Sequence, residues 1–217
     1  MVIRTARSAI KTMLKKVKQS LAVEKVFFRE SLSRIFSILA FLFFLFAVAG
    51  FVVSIQNPEL AGRAFDSLRQ SYESKGFFNT TSNFDLFILI LLNNIVAAFF
   101  SLAAGVIPFF FLSALAVIAN GFFLGVIGAV VLAQGKGVST VILSLLPHGI
   151  VELPAFFYAS SLGIYLMQNI SRKIMGRPVK LWTVFKNSLR SFIVIVLPLL
   201  FLAAFLEVYV TYAIVKN

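Results

Sequence analysis

The chain has 217 residues, 60% hydrophobic and 13% charged, with no cysteine and a formal net charge of +12. Soluble domains carry about 25% charged residues, so this composition, with a mean hydropathy of +0.97, excludes a water-soluble fold and points to an all-α polytopic membrane protein. Missing cysteines exclude disulfides and thiolate metal sites. The basic residues lack the interleaved aromatics of a stacking platform, which argues against a nucleic-acid partner.

In residues 1–34, Ile3, Ala6, Ile10, Met13, Leu14, Val17 and Leu21 recur at helical spacing, with Lys11, Lys15, Lys16 and Lys18 on the other face. This predicts a basic amphipathic helix forming a cytoplasmic unit. Two uses fit: the lysines lie along anionic headgroups of the lipid bilayer, or the helix packs on a partner or stays solvated. The first apolar run begins only near Phe36, so no signal peptide is expected and that run remains as an anchor.

Residues 35–217 read as one transmembrane domain. A span needs about 20 apolar residues, and the runs Phe36 to Ile55, Phe84 to about Gly105, Leu112 to Leu132, Val138 to about Met167 and Phe192 to Val215 predict about five spans. Nine Lys/Arg fall in residues 1–34 and six in the loop 171–191, against three in residues 57–83. The excess of basic residues on cytoplasmic loops then places the N-terminus in the cytoplasm of a multi-pass protein in the cell membrane.

Between the first two spans, Asn57-Pro58 predicts a helix start and Gly76 a stop. Leu60, Ala64, Leu68 and Tyr72 share a face of this outer helix (57–76), joined by Ala61 and Phe65. It is a candidate contact for extracytoplasmic or membrane proteins, or a lid on the bundle. Asn79-Thr80-Thr81 matches a glycosylation sequon. In the third span, Gly121, Gly125 and Ala129 recur every four residues with Gly128 beside them, a spacing that lets helices approach closely, within the bundle or across a homodimer seam.

The fourth span contains Pro147-His148-Gly149-Ile150-Val151-Glu152-Leu153-Pro154. His148 and Glu152 are one helical turn apart, and each proline removes a backbone donor. The span is therefore expected to be proline-broken or re-entrant. Asn93, Asn94, Asn120 and Glu207 also fall at membrane depth, and polar groups there are costly and tend to be functional. With His148 and Glu152 they make an intramembrane polar cluster open to three readings: a structural hydrogen-bonded core, a divalent-metal site of His148, Glu152 and Glu207 suited to zinc, or a proton or substrate path.

Taken in order, Asn93-Asn94, Gly105, Asn120-Gly121, Leu124-Gly125, the Pro-His-Gly-x-x-Glu-Leu-Pro octet and Glu207 resemble the stage II sporulation protein M family of integral membrane proteins, over roughly residues 27 to 215. The resemblance implies a multi-spanning helical protein. In endospore formers the namesake acts in engulfment, in a complex with cell-wall-degrading enzymes, and the family extends to organisms that form no spores. By correspondence with its motifs, Asn93, Asn94, Asn120, His148, Glu152 and Glu207 are the expected functional positions. The functional expectation is a non-enzymatic membrane scaffold. The alternatives are a small transporter, channel or permease component, and an intramembrane metal-dependent enzyme.

Overall fold

A computed structural model describes residues 2–77, 82–135 and 137–211. Side chains within 2–10 and 138–148 and at 211 are not among those described. Every regular element in these residues is helical: α1 (Val2–Phe27), α2 (Ser33–Gln56), α3 (Pro58–Ser74), α4 (Asn83–Ala103), α5 (Leu112–Ala133), α6 (Val138–Ile174), α7 (Leu181–Ser191) and α8 (Leu197–Leu206). Five of the continuous helical stretches are long and apolar enough to cross a membrane: 11–56, 83–106, 112–133, 149–174 and 181–210.

Part of the basic loop expected at 171–191 is helical, as α7, and two junctions between helices are helical as well. A π-helical turn at Phe28–Leu32 joins α1 directly to α2, and another at Phe192–Val196 joins α7 to α8. The basic N-terminal helix is thus an extension of the first span. A third π turn, Glu207–Thr211, follows α8.

The expected break in the fourth span is corrected. α6 runs unbroken from Val138 to Ile174 through Pro147 and Pro154. A proline costs its helix one donor and crowds the preceding turn, yet neighbouring helices can hold such a segment in place in a membrane. From Gly149 onward they surround it: 61% of the most apolar part of that stretch is buried, against 22–28% in the other four spans. α6 is the central helix and the others ring it. Its residues Ala155, Tyr158, Ala159 and Leu162 pack with Ala98, Leu102, Phe192, Val196 and Leu200, while Phe157, Ile164 and Met167 pack with Leu39, Phe43 and Val117.

Lipid offers helices no hydrophobic drive to associate, so contact depends on close packing of small residues. A Cβ added to Gly121 would strike the Phe43 carbonyl, one on Gly125 the Ala47 carbonyl, and one on Gly50 the Phe122 carbonyl, each closer than 3.0 Å. α2 and α5 therefore meet backbone to backbone, and the glycines at 121 and 125 serve a seam inside the chain. Ala129 is buried at 8% exposure, whereas a Cβ on Gly128 would meet only the Phe51 ring, at 3.8 Å. A second small-residue junction lies between α4 and α6, where Gly105 abuts the Gly163 backbone and Gly163 abuts Ser101 and Ser113. Ser113 Oγ donates to the Ser101 carbonyl (2.6 Å), and the Ser101 and Ser160 hydroxyls are 2.7 Å apart.

α3 lies across the end of the bundle opposite α7. Pro58 opens it and Gly76, with φ of +83°, follows its end. Ala61 is buried and Ala64, Phe65 and Leu68 are half-buried, but Leu60 and Tyr72, expected on the same face, are 64% and 41% exposed. Leu60 sits in the first turn, at the rim where α3 emerges from α2. The Asn79-Thr80-Thr81 sequon lies outside the described residues.

Candidate functional site

The polar positions converge from different helices because their helices all touch α6 or flank it. Asn93 and Asn94 on α4, Asn120 on α5 and Glu152 on α6 line one cavity of about 320 Å³. Phe43, Phe123, Phe156 and Leu200 supply apolar wall, and Leu68 and Tyr72 of α3 roof it. Gly149, one turn before Glu152 less a residue, leaves space on the α6 wall.

The polar contacts form a short chain. Lys75, just past α3, donates from Nζ to Asn93 Oδ1 at 2.9 Å and lies 5.7 Å from the centroid of the Tyr72 ring. Asn93 Nδ2 donates to Asn94 Oδ1 at 3.5 Å, and the Asn94 side chain lies beside the half-buried Glu152 in the cavity lining. Glu207, which opens the last π turn, lies within electrostatic reach of Glu152. The Tyr72 phenol is held above its ordinary pKa by burial first, then by the Glu152 and Glu207 carboxylates.

Not every expected site residue behaves as expected. Asn120 faces the cavity but donates its amide to Ala116 O of its own helix, at 2.8 Å, rather than bridging two helices. The back-bond satisfies a donor that would otherwise be stranded at membrane depth. The His148 side chain lies outside those described, and so therefore does the His148, Glu152 and Glu207 metal set. Lys11, Lys15, Lys16 and Lys18 are all exposed along α1.

Sequence reasoning missed two features. One is Lys75 as a member of the polar chain, a lone basic residue beside the Gly76 stop. The other is an ion pair at the α7 end. Glu24 of α1 is only 2% exposed; it accepts a hydrogen bond from Arg190 Nε at 2.6 Å and a short one from Ser191 Oγ. A signal existed: Glu24 is the only acidic residue before Glu30, and it follows Val17 and Leu21 on the apolar stripe.

Fold and site together define a helical integral membrane protein whose central helix carries a polar cavity roofed by a surface helix. The family comparison is specific: the family described as Stage II sporulation protein M matches residues 39–212, most of the chain, and the protein belongs to that family. Comparison with curated proteins and with solved structures returns no match in either. The family match begins within α2, so α1 and its Glu24 anchor stand outside it.

Proposed function

We propose that this protein is a non-enzymatic membrane scaffold, inserted with α1 and α7 on the cytoplasmic side of the cell membrane, that organises partner proteins through α3 and the adjoining bundle surface. The observation that carries this reading is the two-sided character of α3. One side packs onto the bundle through Ala61, Phe65 and Leu68, while the other presents Arg63, Asp66, Ser67, Arg69, Gln70 and Glu73 to solvent. Its pairs Arg63–Glu59 (2.6 Å) and Arg69–Glu73 (3.0 Å) are exposed, and such pairs contribute only about 0.3–0.5 kcal/mol. Arg63→Glu with Asp66→Lys should release a stoichiometric partner that co-purifies with the wild-type protein in mild detergent, with no change in melting temperature. Recovery of no stoichiometric partner by the wild type, with ion flux from the pure protein in liposomes, overturns the scaffold.

The cavity favours a second reading, a transporter or permease component using Glu152. Under it, Glu152→Gln abolishes flux while the protein stays folded; undiminished flux in that variant eliminates it.

A further inference from the structure

The cavity beneath α3 has the size and lining of a small-molecule site. Its volume of about 320 Å³ falls at the lower end of the roughly 300–1,000 Å³ of ligand pockets, which are mostly apolar with a few placed polar groups. Its described polar lining comes from three helices, Asn93 and Asn94 on α4, Asn120 on α5 and Glu152 on α6, with the Phe43, Phe123 and Phe156 rings among the apolar residues.

Charge selects the ligand. Glu152 lines the cavity, Glu207 lies within electrostatic reach of it, and the Lys75 ammonium binds Asn93 at the rim. Arg69, on the neighbouring surface of α3, is already paired with Glu73 at 3.0 Å. Among the described residues the cavity wall carries one carboxylate, Glu152, and no basic side chain, and a partly desolvated carboxylate is stabilised by an incoming cation. Lys75 also shows what the rim accepts: its ammonium is held by an amide oxygen and an aromatic ring, the two kinds of group that bind ammonium ligands.

We infer that the cavity binds an amphipathic organic cation, an ammonium carrying a small apolar group, with Glu152 as counter-ion, the Phe43, Phe123 and Phe156 rings around the apolar part, and Lys75 as a tethered competitor at the mouth. Binding does not require transport, so equilibrium binding decides this inference and flux decides the transporter reading.

The test uses the full chain in lipid nanodiscs, with empty nanodiscs subtracted, and three probes of similar shape: phenethylammonium, neutral 3-phenylpropanol and anionic 3-phenylpropionate. Saturable binding of the cation is expected, at least tenfold tighter than either analogue. Glu152→Gln should weaken it tenfold or more, and Lys75→Met should tighten it severalfold by removing the competitor. If Glu152→Gln fails to fold, Asn120→Leu serves: among the described residues its amide bonds within its own helix, to Ala116 O, so binding should weaken while the melting temperature holds. Equal affinity for the three probes, no saturable binding of the cation, or weaker binding in Lys75→Met overturns the inference.

Discussion

Glu24 is a carboxylate taken out of water on the strength of two partners, Arg190 and Ser191. Breaking a fully buried pair costs about 3–5 kcal/mol, chiefly through the charge left behind. Arg190 is 39% exposed against 2% for Glu24, so water can take over part of its solvation. Glu24→Ala is expected to cost about 2 kcal/mol, read as a lower melting temperature in detergent. Arg190→Ala should cost at least as much, because the stranded group is then the buried one. The double variant should fall well short of the sum, as required of groups that act as a unit; additive losses would dissolve the pair. This anchor was only partly legible in the sequence. A lone acid on an apolar stripe is visible in the order of residues, but its partner lies 166 positions away, and no local spacing reports that.

Among the elements, α2 and α5 make the sharpest prediction. Gly125→Ala places a methyl group into the Ala47 carbonyl, and Gly50→Ala one into the Phe122 carbonyl, so the helices must separate. A loss of about 1–3 kcal/mol is expected, the usual cost of overpacking. Gly128→Ala, which meets only a ring edge at ordinary distance, should be neutral or slightly stabilising in a thermal melt. Equal effects at 125 and 128 would refute backbone contact as the cause. The four-residue spacing was readable from the sequence, but it could not say which helix it served or that Gly128 stood aside. Proline misled in the same way: Pro147 and Pro154 lower the helix propensity of any isolated segment, yet α6 stays helical through both. For α1, whose lysines and apolar Met13, Leu14, Val17 and Leu21 are all exposed, anionic headgroups are the expected neighbour. Trypsin should cleave at Lys11, Lys15, Lys16 and Lys18 more slowly in nanodiscs containing anionic lipid than in zwitterionic ones, with the difference fading in high salt. Equal rates would leave α1 projecting away from the bilayer.

For the molecule as a whole, the membrane class and the succession of spans were legible because each apolar run is long enough to cross a bilayer unaided. Which span sits at the centre was not. Centrality depends on contacts among helices, and α6 has the lowest hydropathy of the five, 1.4 against 2.4–2.8. Because little of α6 faces lipid, the innermost helix can carry Glu152 and other polar residues, and its hydropathy is low as a result. Orientation can be checked cleanly because the chain has no cysteine of its own. Gly62→Cys, where a side chain meets nothing within 4 Å, should react with an impermeant maleimide on intact cells, and Thr183→Cys on the exposed side of α7 only after permeabilisation. The reverse pattern would invert the protein.

The α2–α5 seam also constrains how the chain is made. The first span leaves the ribosome before its glycine-lined partner exists, and two further helices must be threaded before α5 arrives. Until then the groove at Gly50 has only lipid or a chaperone to fill it, so biogenesis includes a waiting period in which the earliest span is the least settled.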